Sequence, residues 1–247
     1  MQDFDGKTVL ITGAASGFGK LLAEKLSAAG ARLALGDLDA EGLEAMRGSL
    51  PGEVLAERVD VTREDAVAAF VAATVERFGG LDIAVNNAGI ASPMKALVDT
   101  TEADLDLNFA VNAKGVFFGM KHELRAMLDQ GHGCILNVAS MAGLGGAPKL
   151  TAYAAAKHAV VGMTKTAAVE VAKRGIRVNA VCPFYSPTPM VTELSSPEMQ
   201  ATMAKGAPMK RLGDPEEMVN AMLLLIDPAN TYMTGQAVAV DGGVSAL

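Results

Sequence analysis

Tyr153 and Lys157 are four residues apart, and Ser140 stands thirteen residues before Tyr153, just after the apolar run Cys134 to Ala139. Residues at that spacing share a helical face, so the Lys157 ammonium is expected beside the Tyr153 phenol, where it favours the ionised form. A phenol tuned in this way gives or takes a proton near neutral pH. A hydroxyl at a strand end, Ser140, can then hold a carbonyl or alcohol oxygen against it, which is what an alcohol and ketone interconversion needs. The pair alone is weak evidence, because a core tyrosine followed by a solvated lysine has the same spacing. The rest of the chain has to supply the context.

The elements that must position these groups can be read from the N-terminus onward. Thr8 to Thr12 is a short β-branched apolar run, expected as a buried strand. It leads into Thr12-Gly13-Ala14-Ala15-Ser16-Gly17-Phe18-Gly19, then a helical pattern of Leu21, Leu22 and Leu26 that ends at Gly30. A second strand, Arg32 to Gly36, closes on Asp37, eighteen residues beyond Gly19. Glycines let the backbone approach a pyrophosphate, a helix N-terminus stabilises its charge, and an acid at this distance can accept from a ribose hydroxyl. A tight turn without a ligand, with Asp37 capping the following helix, is the alternative.

Further strands are expected at Val54 to Asp60, Leu81 to Asn86, Cys134 to Ala139, Arg177 to Cys182 and Ala237 to Val240. Helices are expected between them. One begins at Thr62, with Asp65 as its capping partner, and ends at Gly79-Gly80. Others run from about Thr101 to Asp129, from Thr151 to Arg174 and from Pro215 to Ile226. Seven strands alternating with helices predict an α/β fold, a doubly wound parallel sheet with helices on both faces. One domain is expected over residues 1–247. Its irregular stretch, Pro183 to Gly213, holds five prolines and four methionines and is expected to cover the site as a lid from about residue 184.

Composition narrows the partners. The net charge is −7 with 21 basic residues scattered along the chain, so no stripe is present for nucleic acid or an anionic membrane. Cys134 and Cys182 lie in apolar runs and are expected as buried thiols of a reducing compartment. No run approaches the length of a membrane span and no basic leader is present; the expectation is a cytoplasmic protein. His122, His132 and His158 lack the mutual spacing of a metal site, so no metal is expected. Gly143-x-Gly145-Gly146 follows a strand but opens no immediate helix, and is expected to be a flexible wall.

Taken together, these motifs resemble the short-chain dehydrogenase/reductase family. Thr12-Gly13-x-x-x-Gly17-x-Gly19 is similar to that family's cofactor turn, Asn86-Asn87-Ala88-Gly89 to its fourth-strand signature, and Val240-Asp241-Gly242-Gly243 to its C-terminal segment. The resemblance therefore spans nearly the whole chain. It implies a Rossmann-like fold, a homotetramer, and NAD bound by Gly13, Ser16, Gly17, Phe18, Gly19, Asp37, Asp60, Val61, Asn87, Ala88, Gly89, Pro183 and Thr188. It implies catalysis by Asn112, Ser140, Tyr153 and Lys157, with Asn112 holding a water that relays protons to Lys157. Lys157 and Tyr153 also face the cofactor, and hydride would come from the B face of its ring.

One departure is plain. Where the family usually has Pro-Gly after the sixth strand, this chain has Pro183-Phe184, which puts a large ring beside the reacting carbon or turns it into the lid's own packing. Met141, Leu144, Phe184, Tyr185, Met190 and Met209 suggest a hydrophobic secondary alcohol or ketone as substrate, since methionines adapt to irregular shapes; simple packing is the alternative. Within the enzyme class a hydroxysteroid or a 3-oxoacyl thioester remains open. Outside it, a cofactor-binding sensor without turnover remains open.

Overall fold

The computed structural model describes residues 4–246, so the first three residues and Leu247 of the expected domain lie outside the described residues. Seven strands form one parallel sheet: β1 (Thr8–Thr12), β2 (Arg32–Asp37), β3 (Val54–Arg58), β4 (Ile83–Asn86), β5 (Gly133–Val138), β6 (Ile176–Pro183) and β7 (Ala237–Val240). Their order is β3-β2-β1-β4-β5-β6-β7. All five residues of β1 are buried, as a strand covered on both faces requires. The chain order reverses between β1 and β4, and a crevice opens at the carboxyl ends of strands where that happens.

The two faces of the sheet bury different helices because alternate strand residues point to opposite sides. Leu10, Ile135 and Val178 pack with Phe70, Val71, Val116, Met120 and Val160 on one face. These come from α3 (Glu64–Phe78), α5 (Gly115–Gln130) and α6 (Thr151–Val171). Ile11, Leu35, Leu136 and Val181 pack with Leu22, Leu26, Leu43 and Val219 on the other. Those helices are α1 (Gly17–Ala28), α2 (Ala40–Ser49) and α9 (Pro215–Ile226). Each fully buried Leu, Ile or Phe stabilises the fold by roughly 1.5–3 kcal/mol relative to an exposed one. A short α4 (Glu102–Asn108) precedes α5.

The structure departs from the sequence expectations at four places. Thr62 and Asp65 do not cap α3: its N-cap is Arg63, without a side-chain cap bond. Thr62 instead donates to Asp60 Oδ1 through its hydroxyl at 2.7 Å and its backbone N–H at 2.9 Å. Strand β3 stops at Arg58, though Val59 N still donates to the Asp37 carbonyl at 2.8 Å, and Asp60 lies beyond the strand. The long helix expected from Thr101 is capped by Thr101 with Asp104, but Phe109–Lys114 is π-helical and divides α4 from α5. The stretch expected to be irregular carries two short helices, α7 (Pro189–Thr192) and α8 (Pro197–Gly206), each with proline in its first turn, where its missing N–H costs nothing.

Candidate active site

The crevice is built first by the join between β1 and β4. The Thr12 hydroxyl accepts from the backbone N–H groups of Asn87 and Ala88, both at 3.2 Å, and the Asn87 amide donates back to the carbonyls of Thr12 and Gly13 at 3.0 and 2.8 Å. Gly13 has φ +66°, and a Cβ there would stand 2.8 Å from Ala88 Cα, so only glycine lets the two strand ends meet. A Cβ on Gly19 would overlap the Gly13 carbonyl. Ser16, the N-cap of α1, makes no side-chain cap bond, and no acid occupies the first turn. No side chain therefore competes for the helix's N-terminal field, which suits an anion.

Asp37 ends β2 with one carboxylate oxygen accepting from Ala15 N at 2.9 Å and the other from Asp39 N at 3.1 Å. It does not cap α2. That cap is Asp39, which accepts from Gly42 N at 3.0 Å. The hydrogen bonds from Thr62 hold the Asp60 carboxyl below the usual range. Gly13, Ser16, Gly17, Phe18, Asp37, Asp60, Val61, Asn87, Ala88 and Gly89 all border one cavity of about 750 Å³. Gly19 does not border it and serves the packing beneath. The glycine turn, uncapped α1 and carboxylate at the end of β2 fit a dinucleotide.

The same cavity reaches Ser140, Tyr153 and Lys157. Ser140 opens a single 3₁₀ turn, Met141–Gly143, where its Oγ accepts from Ala142 N at 3.1 Å, and it also hydrogen-bonds the Tyr153 phenol. The Lys157 ammonium is buried and donates to the Val138 carbonyl at 2.8 Å. It lies over the Tyr153 ring, 5.6 Å from its centre. This corrects the expectation that Lys157 favours the phenolate. Burial pushes Tyr153 up to about 12, against the opposing bond from Ser140, and burial brings Lys157 down to about 8. Desolvation disfavours whichever form is charged, and it is the largest influence on both groups.

Asn112 lies in the π-helical segment, fully buried. Its Oδ1 accepts from Ile90 N at 2.9 Å, and its Nδ2 donates to the Ile90 carbonyl at 3.0 Å and to Asn108 Oδ1 at 3.1 Å. The amide group thus fixes the loop after β4 through Ile90 and ties it to the end of α4 through Asn108. Insertions of this kind are frequent at functional sites, and here the side chain rewards the break in helical register.

At the substrate end, Met141, Leu144, Phe184, Tyr185 and Met190 border the cavity with Gly145, Gly146, Pro183 and Thr188. Met209 does not; it lines a neighbouring cavity of about 320 Å³. Phe184 borders both cavities and meets Tyr185 edge-on at 4.8 Å, so it is at once a wall and part of the covering segment's packing. The charged side chains on the larger cavity are Asp37, Asp60 and Lys157, which leaves the substrate end uncharged. Ile90, Ala91, Ser92, Pro148, Leu150 and Ser245 also line it. Their sequence contexts carry no signal, since each reaches the cavity through loop geometry. Among the described residues no cluster of three or more His, Cys, Asp or Glu could hold a metal, and none of the helices is long and apolar enough to cross a membrane.

This arrangement has close relatives. A family model described as enoyl-(acyl carrier protein) reductase matches residues 13–245. Levodione reductase of Leifsonia aquatica is 39% identical over 98% of this chain and 96% of its own length. The solved structure of a 3-ketoacyl-(acyl-carrier-protein) reductase from Brucella melitensis, complexed with NADH, superimposes with a TM-score of 0.92 at 35% identity, covering 98% of this chain and 99% of that one. The structure of ElxO with NADP bound does so with the same TM-score at 32% identity, covering 98% and 99%. Fold, sequence and near-complete coverage agree, and we conclude that the chain is an oxidoreductase belonging to the short-chain dehydrogenase/reductase family.

Proposed function

We propose that this protein interconverts an uncharged, hydrophobic secondary alcohol and its ketone, with NAD as cofactor. The observation that carries the proposal is the meeting of the Ser140 and Tyr153 hydroxyls, in one cavity, with the uncharged wall of Met141, Leu144, Phe184, Tyr185 and Met190. Bound NAD would supply the hydride acceptor for the alcohol carbon, and NADH the hydride donor for the ketone. The α1 N-terminus with Gly13 to Gly19 would hold the pyrophosphate, Asp37 the adenosine ribose, and Asp60 and Val61 the adenine. Asn87, Ala88 and Gly89 would flank the cofactor, Lys157 would reach the nicotinamide ribose, and Pro183 and Thr188 would border the nicotinamide.

Ser140 and Tyr153 would share the substrate oxygen. With its phenol pushed to about 12, Tyr153 is a proton donor throughout the neutral range, the state that ketone reduction needs. Lys157, lowered to about 8, exchanges protons readily near neutrality. With its side chain committed to Ile90 and Asn108, Asn112 would hold the relaying water through its backbone. A 3-oxoacyl thioester is the second reading, favoured by the Brucella melitensis relative. A screen of NADH absorbance over secondary alcohols, ketones and a 3-oxoacyl thioester tests both; no turnover of any would leave a cofactor-binding role without catalysis. We further infer a cytoplasmic homotetramer. Exposed Leu107, Phe117 and Val169 support association between copies, which light scattering on the purified protein measures.

A further inference from the structure

Tyr185 is an unusual member of the substrate wall. Its neighbours there, Met141, Leu144, Phe184 and Met190, offer carbon and sulfur, whereas Tyr185 offers a phenol. Its ring is set by the edge-on contact with Phe184 at 4.8 Å, and its backbone carbonyl accepts from Gly213 N at 3.0 Å. The ring is half-buried and borders the cavity. Its hydroxyl has no hydrogen-bond partner among the described residues. Of the other hydroxyls on this cavity, Ser92 is already engaged by Asn108 at 2.6 Å, Ser245 is exposed at the rim, and Ser186 is a small buried side chain whose Oγ also has no partner.

A phenol that closes against a ligand normally finds a partner, and one sealed in without a partner weakens binding. We propose that Tyr185 is a specificity-determining residue whose hydroxyl bonds a second oxygen, a hydroxyl or a carbonyl, on the same uncharged skeleton as the reacting carbonyl. The substrate class is then a hydroxyketone, diketone or diol of compact, otherwise apolar shape. The placement supports this: Tyr153 and Tyr185 border the same cavity, one phenol for each oxygen. This inference rests on the alcohol and ketone reading above.

The test uses matched ring ketones that differ only in one substituent: 2-, 3- and 4-hydroxycyclohexanone against the corresponding methylcyclohexanones, with cyclohexanone as reference. The wild type is expected to prefer the hydroxy member at one ring position by roughly tenfold to hundredfold in kcat/KM, because a buried polar group left unpaired discriminates strongly. Tyr185→Phe keeps the ring against Phe184 and is expected to bring that ratio to within about threefold. The hydroxy-to-methyl ratio within each variant is the readout, and the NADH dissociation constant, read by NADH emission in a chain without tryptophan, should stay unchanged. A wild-type preference near one at every position overturns the inference, as does a preference that survives in Tyr185→Phe. If the wild type reduces none of these ketones, including cyclohexanone, the alcohol and ketone reading itself fails, and the inference falls with it.

Discussion

Tyr153 and Lys157 show how far residue spacing reaches. That they share one face of α6 follows from their spacing; that the ammonium sits over the ring and bonds Val138 does not, because the carbonyl belongs to a strand fifteen residues and more away in sequence. If Tyr153 carries the proton, Tyr153→Phe should lower ketone turnover by the 10² to 10⁴ typical of general acid catalysis while leaving the NADH dissociation constant nearly intact. Stopped-flow turnover and NADH titration of the same variant decide it, and turnover retained within about threefold is incompatible with the role. On the NAD reading proposed above, Asp37 would carry the cofactor preference. A 2′-phosphate about 4 Å from its carboxylate costs on the order of 4 kcal/mol per charge pair at an effective dielectric near 20, before rearrangement and screening reduce it, so NAD should exceed NADP by about two orders of magnitude or more in kcat/KM. Arg58, which donates to the Leu38 carbonyl at 3.2 Å, is the nearby cation that sequence reasoning passed over. Asp37→Ser should therefore narrow the ratio by leaving Arg58 unopposed, and paired kinetics with both cofactors measures it.

Among the elements, α5 holds a feature no motif announces. Glu123 is fully buried; one carboxylate oxygen accepts from Asn86 at 2.9 Å, and the other has no partner. Asn86 also donates to Asn137 at 3.0 Å, and Asn137 to Thr164 at 2.9 Å, so a polar chain crosses the layer from β4 through β5 to α6. Burial raises Glu123 from 4.5 to about 8, against the lowering bond from Asn86. Between those values the folded chain holds a proton that the unfolded chain has lost, so this group stabilises fully below about pH 4.5 and ceases to as pH rises through 8. Glu123→Gln should match the wild type in melting temperature near pH 5 and exceed it near pH 8, a difference on the order of a few kcal/mol. Thermal melts across that range settle the sign. Strands and most helices were legible because their apolar periods are strong. The π-helical segment was not, since its cause is the Asn112 contact with Ile90, twenty-two residues distant. Phe184 is legible as a departure but not as a shared wall. Phe184→Gly should open the larger cavity toward the smaller, shifting acceptance to bulkier ketones while small ones lose roughly 1–3 kcal/mol in kcat/KM; a uniform loss across sizes with a lower melting temperature would instead assign Phe184 to packing alone.

At the scale of the whole molecule, the seven-stranded parallel sheet agreed with the alternation of strand and helix signals, while the strand order rests on pairings that no local pattern encodes. A dinucleotide lying across the reversal between β1 and β4 would tie both halves of the sheet together. NAD at about 100 times its dissociation constant should thus stabilise by about 2.7 kcal/mol and raise the melting temperature by roughly 5–10 °C for a chain of this size, which differential scanning fluorimetry reads directly. The join between β1 and β4 also governs how the chain is made. Val9 to Ile11 pair with Ile83 to Val85, so the interior strand β1 waits, one edge bare, for a partner translated more than seventy residues later. Synthesis delivers the adenosine side of the crevice first and the residues that touch the substrate last. A nascent chain halted before Ile83 exposes an apolar strand edge of the kind that recruits other strands, and non-local pairing of this kind is slow to form. The topology that makes the crevice therefore makes early release from the ribosome a hazard, one that ends only when β4 closes the gap.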